Sequence, residues 1–401
     1  MLKIMLAGMR DMADEGLKDH RTFRALWFKQ WSDLFLTAYE PGRKVVYTSA
    51  YAFPMEILAA FDVVPFDFET SSALMSVINQ GLPLMIEAEN QGYSPDICSF
   101  HRASLGCLLK SYYPEPDLLI TTSFYCDGKG KTNDIMAHVL NKRSYYLQVP
   151  HEITKASVEY VKGQLQEIIR LLEELTGKPI DEERLRQAIR SSNRSRALQL
   201  EIQEVMRKTP CVFSPTDLIG YSINGKLFTG RLIKEDMERQ LLLDLNRRHQ
   251  SGRAHNERHR IYWFAWMPVY ASILYEVLKE HGVNIAMCET YEVFWDELDE
   301  ENSLESLALQ CLKNPFIGPT SRRTDRLKDT VSSFGIDGAI LFATPACRNS
   351  KSAHMLVKKA FTDMSLPFLS LDMDISDPRG YQAEQIRTRL EGFIELMDMN
   401  T

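Results

Sequence analysis

The sequence has few cysteines, and none of them belongs to a CxxC pair. Seven cysteines occur among the 401 residues. Structural zinc sites usually take their four ligands from close pairs of cysteine or histidine, so the missing pairs argue against a zinc ribbon or a zinc finger. Each cysteine must therefore be interpreted from the predicted element that carries it.

The chain also lacks a long apolar run and an excess of positive charge. No stretch approaches the length of a membrane span, and Lys3, Arg10 and Asp11 interrupt the segment where a signal peptide has its apolar core. We therefore expect a cytoplasmic protein whose cysteines are thiols or metal ligands. The formal net charge of −7 argues against a general nucleic-acid-binding protein. We expect neither a nucleic-acid nor a membrane partner.

A complete phosphate-binding loop is missing as well. Gly130, Lys131 and Thr132 in "DGKGKTN" resemble the end of such a loop. The glycine that the motif requires five positions before Gly130 is replaced by Tyr125. We therefore predict that this segment does not bind ATP.

The sequence does contain strand-like and helix-like segments that alternate in two parts of the chain. Short apolar runs such as "KVVYTSA", "DLLITTSF", "VNIAMCE" and "DGAILFAT" are typical of buried strands, and helical patterns separate them. Residues 153 to about 208 predict two long helices instead, divided at "TGKPID". The whole pattern predicts an α/β protein with two parallel sheets and a helical segment between them.

Four parts follow from this pattern. They are an N-terminal helical segment (1–42), a first α/β domain (43–152), a helical connecting segment (153–257) and a second α/β domain (258–401). The chain is longer than one hydrophobic core usually supports, which agrees with more than one domain.

Four of the cysteines have apolar neighbours or a place inside a predicted element. Cys107 and Cys311 lie in predicted helices, Cys288 lies in a predicted strand, and Cys211 lies in a connection flanked by proline. We interpret all four as small buried hydrophobic side chains.

The other three cysteines lie in loops. Cys126 comes two residues after the run "DLLITTSF", and Cys347 comes three residues after "DGAILFAT". Cys98 lies in a loop just before a predicted helix. Ligands of open α/β sheets gather beyond the carboxyl ends of the strands, so a crevice between the two domains could bring these three thiols together.

Two kinds of chemistry fit these three cysteines. A single thiolate near a histidine could act as a nucleophile, and His101 is close to Cys98 in the sequence. Three converging thiolates would instead need a cation to hold them. An iron–sulfur cubane takes one thiolate per iron, and three thiolates would leave its fourth iron open. Spacing alone does not decide between these alternatives.

Several segments resemble the 2-hydroxyacyl-CoA dehydratase family, of the 2-hydroxyglutaryl-CoA dehydratase D-component type. They are "VVYTSAYAFPMEILAAFDVVP", "IEAENQGYSPDICSFHR", "PDLLITTSFYCDGKGK" and "ATPACRNS", and they occur in the order that the family has. The same family contains the catalytic subunits of ATP-dependent benzoyl-CoA reductase. The resemblance implies two Rossmann-like or flavodoxin-like parallel-sheet domains.

The resemblance also implies a cofactor, a substrate and partners. Carried over to this sequence, the ligands of a [4Fe-4S] cluster are Cys98, Cys126 and Cys347. A separate ATP-dependent iron–sulfur activator protein supplies one low-potential electron, with which a 2-hydroxyacyl-CoA loses water to give the 2-enoyl-CoA. The chain is then a dehydratase subunit that pairs with a paralogous subunit or with itself.

A catalytic residue is implied by the N-terminal motif. Glu56 in "FPMEIL" matches the glutamate of that motif and is expected at a helix start beyond the strand "KVVYTSA". We predict that it transfers a proton, although an acid that only stabilises a helix N-terminus fits the same place. Ser49, at the end of that strand, could donate a hydrogen bond to substrate.

Other functions stay open at this point. "YTSAY" lacks the cysteine that relatives with a double-cubane cluster often carry, so a single cubane is expected. Cys107, Cys288 and Cys311 keep a double cubane open as an alternative. An aryl-CoA-reducing subunit of the benzoyl-CoA reductase type would use the same electron source. A third possibility is a cluster-bearing electron-relay or structural subunit whose partner holds the substrate.

Overall fold

Two four-stranded parallel β-sheets organise the chain. The computed structural model describes residues 1–49, 53–123, 125–213, 217, 225–251, 256–264 and 266–400. The strands of the first sheet are β1 (Val45–Thr48), β2 (Val64–Asp67), β3 (Leu118–Thr122) and β4 (Arg143–Leu147). Those of the second sheet are β5 (His259–Phe264), β6 (Val283–Cys288), β7 (Gly338–Phe342) and β8 (Phe368–Leu371).

The strand order is the same in both sheets and places a switch point in each. The orders are β2-β1-β3-β4 and β6-β5-β7-β8, and Val46 pairs with Leu118 while Ile261 pairs with Gly338. The chain winds outward on one side of β1 or β5 and then crosses to the other side, so the loops after the two central strands of each sheet diverge. A crevice opens at such a point. The predicted α/β fold with two parallel sheets is confirmed.

Helices surround the sheets. The helices before residue 210 are α1 (Leu2–Asp19), α2 (Phe23–Thr37), α3 (Met55–Ala59), α4 (Phe68–Val77), α5 (Gly81–Asn90), α6 (Ser99–Leu109), α7 (Asp127–Leu140), α8 (Lys155–Thr176) and α9 (Glu182–Arg207). The later ones are α10 (Leu232–Gln250), α11 (Ser272–Glu280), α12 (Ser303–Lys313), α13 (Ser321–Thr324), α14 (Leu327–Phe334), α15 (Arg348–Asp363) and α16 (Ala383–Asn400). A short 3-10 helix spans Gly225–Phe228.

The central strands are buried on both faces because helices cover both sides of each sheet. Every residue of β1, β3, β5 and β7 is buried, which explains their nearly continuous apolar sequences. On one face of the first sheet, Phe35 of α2 packs edge-on against Phe66 of β2, with ring centroids 4.9 Å apart. Within the described ranges, no helix is both long and apolar enough to cross a bilayer.

The boundary between α8 and α9 lies where "TGKPID" predicts it. Gly177 ends α8 in the left-handed conformation with φ +68°, which a residue without Cβ adopts at little cost. The Asp181 side chain accepts a hydrogen bond from the backbone N–H of Arg184 at 3.1 Å and thereby caps α9. Local sequence is sufficient to stop one helix and start the next.

Helix α9 connects the two halves of the molecule. Asn193 donates to the carbonyl of Leu298 at 2.8 Å, and Gln203 donates to the carbonyl of Tyr291 at 3.1 Å. Both acceptors lie in the second half of the chain. The first half is held by Ser192, which donates to Glu56 at 2.7 Å. The helical segment therefore packs between the sheets as well as connecting them in sequence.

A charged network, which we call the interdomain latch, also joins the halves. It consists of Glu89, Arg102, Asp377 and Arg379. The Arg102 side chain is only 2% exposed and donates to Asp377 at 2.9 Å and to Glu89 at 2.5 Å. Arg379 donates to both oxygens of Glu89, at 2.9 and 2.6 Å. The latch holds the start of α6 against the loop that follows β8.

Candidate functional site

Three helices begin at the three loop cysteines. Cys98 precedes α6, Cys126 precedes α7 and Cys347 precedes α15, each as the N-cap residue, and none of the three side chains accepts a capping hydrogen bond. All three residues are partly exposed, in contrast to the buried Cys107. Thiolates at helix N-termini experience the positive end of the helix dipole, so the three helix starts would help to stabilise thiolates once a cation binds them.

The structure brings these three thiols within electrostatic range of one another. Burial is the main reason that the pKa of the Cys98 thiol lies well above its usual range, and Cys126 and Cys347 raise it further. Burial also raises the pKa of Cys126 to about 11, with Lys129 acting in the opposite direction and Cys347 adding to the increase. Three thiolates would repel one another, so the thiols can be ionised together only when a cation is bound.

Within the described part of the chain, no three His, Cys, Asp or Glu side chains are arranged to hold a metal ion. The ligand role of the three thiols therefore rests on their place at the helix starts and on their electrostatic coupling.

Four polar side chains form a network, the Glu69 quartet, which consists of Ser49, Glu69, His101 and Lys129. Ser49 donates to Glu69 at 2.6 Å, and Lys129 donates to Ser49 at 2.8 Å and lies 3.1 Å from Glu69. His101 Nε2 lies 2.9 Å from the other oxygen of Glu69. Burial alone would raise the pKa of Glu69, but Lys129, His101 and Ser49 together lower it below its ordinary value. The quartet thus holds an ionised carboxylate.

The Glu69 quartet lies beside the cysteines. A Cβ placed on Gly128 would be 3.6 Å from His101 Nδ1 and 3.7 Å from Cys126 Sγ, so the imidazole and the thiol flank the same glycine. The Glu69 charge also raises the pKa of the Cys98 and Cys126 thiols. The buried His101 Nδ1 has no hydrogen-bond partner within the described residues. A group bound at the thiols would therefore be next to a carboxylate, an ammonium and an imidazole.

Glu69 and Lys129 were not identified in the sequence. Glu69 lies in the first turn of α4, where an acid is ordinarily explained by the helix dipole. Lys129 lies in the incomplete phosphate-loop motif. Their separation along the chain gives no signal that they meet, and only the packing of α4, α6 and α7 around β1 and β3 brings them together.

Glu56 has a different environment from Ser49. It lies in α3, is fully buried, and accepts a hydrogen bond from Ser192 at 2.7 Å. Its other oxygen has no partner among the described residues. Burial raises the pKa of Glu56, with Ser192, Lys234 and Lys226 opposing the rise. The pKa of Glu56 is therefore shifted upward, whereas the pKa of the Glu69 carboxyl bonded to Ser49 is shifted downward.

Glu56 faces a cavity between the two halves of the chain. The cavity has a volume of about 80 Å³, enough for several water molecules. Its apolar lining includes Phe53, Phe294, Trp295, Phe316 and Cys311, and its polar lining includes Glu56, Lys226, Thr229, Glu289, Glu292, Gln310 and Asn314. Apolar walls with a few convergent polar groups are typical of small-molecule sites.

The residue before Cys126 connects this cavity with the thiols. Tyr125 lines the cavity and packs against Phe316, with ring centroids 4.3 Å apart. Its φ of +73° is strained for a bulky residue, and such strain clusters at functional sites. The backbone turns sharply here, so that Tyr125 lies at the cavity and the next residue lies at the thiols.

Residues 50–397 match the model of a protein family described as 2-hydroxyglutaryl-CoA dehydratase, D-component. The chain therefore belongs to the family of 2-hydroxyglutaryl-CoA dehydratase D-components. This result confirms the resemblance that the sequence motifs indicated. The match begins directly after Ser49 and covers all three loop cysteines.

Curated relatives of this family are similar along most of the chain. An (R)-2-hydroxyisocaproyl-CoA dehydratase alpha subunit from Clostridioides difficile is 24% identical over 92% of this chain and 94% of its own length. A benzoyl-CoA reductase subunit from Thauera aromatica is 22% identical over 90% of both chains. An (R)-2-hydroxyglutaryl-CoA dehydratase alpha subunit from Acidaminococcus fermentans is 25% identical over 72% of this chain, which spans 61% of that relative.

Proposed function

We propose that this chain is the iron–sulfur subunit of a radical 2-hydroxyacyl-CoA dehydratase that depends on an ATP-hydrolysing activator. The product would be the 2-enoyl-CoA, and the reaction is that of a lyase. The observation that carries the proposal is the meeting of three cysteine-capped helix starts beside a cavity with apolar and charged walls. The names of the relatives, most of them CoA dehydratases, support the same reaction.

Two features of the thiols fit a [4Fe-4S] cluster held by Cys98, Cys126 and Cys347. They are within electrostatic range of one another, and no capping hydrogen bond occupies them. A cubane takes one thiolate per iron, so its ligands need not meet at a point. When bound, the cluster would supply one-electron chemistry at low potential. Three protein ligands would also leave one iron open.

The Glu69 quartet would surround the reacting end of the substrate with fixed charges. Lys129 and His101 hold Glu69 ionised, so its carboxylate can accept a hydrogen bond or a proton. Ser49 donates its only hydroxyl proton to Glu69 and accepts from Lys129, so it holds these two charged groups in place. Because these groups are buried and already bonded to each other, they need little reorganisation when charge develops on the substrate.

Glu56 is our candidate for proton transfer at the acyl chain. Its carboxyl is buried, one oxygen is unpartnered among the described residues, and it lines the cavity. A general acid or base works best when its pKa is shifted toward the working pH, and burial shifts the pKa of Glu56 upward. Glu69 is the second candidate, because its charge acts on the thiols of Cys98 and Cys126, but its lowered pKa makes it the weaker base.

The partners follow from the same proposal. A paralogous dehydratase subunit, or a second copy of this chain, would complete the enzyme, since the relatives are named as alpha and beta subunits. A separate iron–sulfur activator would deliver the electron, in agreement with the incomplete phosphate loop at residues 127–133. We also propose that the chain divides into the four parts given above, of which the last three begin at residues 43, 153 and 258.

Reduction of an aryl-CoA is the second candidate function. It is favoured by the similarity to the benzoyl-CoA reductase subunit of Thauera aromatica, which extends over 90% of both chains. The aromatic walls of the cavity, Phe294, Trp295 and Phe316, would suit a flat ring. An electron-relay subunit would need no such cavity.

The test is an assay of the anaerobically purified chain with its partner subunit and its activator. We expect about four irons and four sulfides per chain, and elimination of water from a 2-hydroxyacyl-CoA only when ATP and the activator are present. Zinc, or no metal, in protein kept free of oxygen would contradict the cluster. Turnover of benzoyl-CoA without dehydration would favour the second candidate.

A further inference from the structure

One cation in the cavity has no acidic partner among the described residues. Lys226, in the short 3-10 helix, lines the cavity, and its ammonium lies 4.6 Å from the centroid of the Trp295 ring. Within the part of the chain that the structure describes, it makes no ion pair or hydrogen bond. An ammonium removed from water without an anion is unfavourable, and a cation–π contact offsets only part of that cost.

The acids of the cavity are already paired. Glu289 accepts from Arg323 at 2.6 and 2.8 Å. Glu292 accepts from the hydroxyl of Tyr262 at 2.8 Å. Glu56 accepts from Ser192 at 2.7 Å, and burial raises its pKa. None of these three acids lies within ion-pair distance of Lys226, so the lysine is the charge that remains to be neutralised.

Burial and the neighbouring charges determine the direction in which the pKa of Lys226 shifts. Burial is the main cause that lowers the pKa of Lys226 to about 7, and the neighbouring Lys234 lowers it further. Glu56, Glu238 and Cys288 act in the opposite direction. A bound anion would restore the ammonium form. Any such anion must also fit the aromatic walls, so the suitable ligand is a short hydrocarbon chain that ends in an anionic group.

We propose that the cavity holds the acyl chain of the substrate and that Lys226 selects chains whose far end carries a carboxylate. This inference rests on the proposed dehydratase function and specifies its substrate class. Trp295 and Phe316 would contact the methylene groups, and the Lys226 ammonium would donate to the terminal carboxylate. Glu56, which lines the same cavity, stays the candidate for proton transfer at the β-carbon of the chain.

Binding measured apart from turnover tests this proposal. The anaerobic complex of the chain with its partner subunit is titrated with glutaryl-CoA and with pentanoyl-CoA, which have the same number of acyl carbons and differ in the terminal carboxylate. We expect glutaryl-CoA to bind about 10- to 100-fold more tightly, as for a hydrogen bond between charged groups. The advantage should decrease as the pH rises above about 7, because Lys226 then loses its charge.

Variants separate recognition from folding. Lys226→Met should abolish the preference for glutaryl-CoA and leave pentanoyl-CoA binding unchanged or stronger, whereas Lys226→Arg should retain part of the preference. Lys313→Met is the matched control, because Lys313 is half-exposed and pairs with Asp296 outside the cavity. Equal affinity of the wild type for both thioesters, or an equal loss for both in Lys226→Met, would overturn the proposal.

Turnover of the 2-hydroxy forms of the same two thioesters tests the role of Lys226 separately from the dehydratase function. Dehydration of 2-hydroxyglutaryl-CoA with a higher kcat/KM, lost mainly through KM in Lys226→Met, supports both. Dehydration of 2-hydroxypentanoyl-CoA with equal or higher kcat/KM overturns the role of Lys226 and leaves the dehydratase function intact. If neither is dehydrated although glutaryl-CoA binds preferentially, the dehydratase function fails and the carboxylate site stands.

Discussion

At the scale of single residues, the seven cysteines fall into two groups. Those inside elements or apolar connections, Cys107, Cys211, Cys288 and Cys311, are buried with at most 4% exposure, which confirms their interpretation as small hydrophobic side chains. The three at helix starts are partly exposed and electrostatically coupled. Their role as ligands stays a prediction.

Substitution of single cysteines tests that role. Cys98→Ala, Cys126→Ala or Cys347→Ala should each lose iron and the visible absorption of the cluster, because a cubane held by two thiolates is exposed to solvent and exchange. Cys107→Ala is the control, and it should keep the cluster and cost about 1 kcal/mol of packing energy. Loss of iron from the control, with Cys347→Ala intact, would contradict the ligand assignment.

Substitution also distinguishes the roles of Glu56 and Glu69 in proton transfer. Glu56→Gln should leave the iron content unchanged and slow dehydration about 100-fold, the size expected when a proton-transfer group is lost. Glu69→Gln is the comparison, since it keeps the side-chain shape and removes the charge that pairs with Lys129 and His101. If Glu69→Gln abolished turnover while Glu56→Gln kept full activity, the proton-transfer role would belong to Glu69.

At the scale of the elements, local sequence explains where the helices begin and end. Aspartate at the start of α9 and glycine at the end of α8 act through the backbone groups of their own helices. The same reasoning applies to Asp67, whose side chain accepts a hydrogen bond from the backbone N–H of Thr70 at 3.0 Å at the start of α4. Such contacts span three residues, so a sequence pattern is enough to predict them.

A variant that removes the Asp181 cap tests whether this local contact stabilises the protein. Asp181→Ala should destabilise the protein by about 1 kcal/mol, because the N–H of Arg184 loses its acceptor. Asp181→Asn should retain nearly all of the stability, since the amide oxygen can accept the same bond. The two variants are compared by urea denaturation followed by circular dichroism. Equal stability of Asp181→Ala and the wild type would show that the cap contributes nothing.

At the scale of the whole molecule, the interdomain latch carries a prediction about pH. Arg379 and Arg102 lower the pKa of Glu89. Burial would raise the pKa of Asp377, but the same two arginines lower it to about 2. Both carboxyl pKa values are therefore lower in the folded than in the unfolded chain. Their stabilising contribution is complete above about pH 5 and is lost as the pH falls toward 2.

Arg102→Met tests the latch. At neutral pH it should lower the free energy of unfolding by about 3 kcal/mol, because Glu89 and Asp377 lose the partner whose charge is itself buried, with only 2% exposure. Its difference from the wild type should shrink as the pH falls from about 5 to about 3. Arg379→Met is the control, with a smaller effect of about 1 kcal/mol since Arg379 is 41% exposed. A difference that stayed constant with pH would exclude the latch as its cause.

The sequence by itself determined the strands, the helix ends and the three loop cysteines. Periodicity, caps and turns depend on neighbours a few residues apart, so they can be predicted without a structure.

The tertiary structure alone decided which polar groups meet. Glu56 and Ser49 are seven positions apart, yet they belong to separate networks. Ser49 contacts Glu69 and Lys129, and Glu69 in turn contacts His101 from a third helix. The same holds for Lys226, whose lack of an acidic partner among the described residues depends on the packing of α3, α10 and α12 around it. Charges interact through space, and the distance between them is set by packing rather than by their separation along the chain.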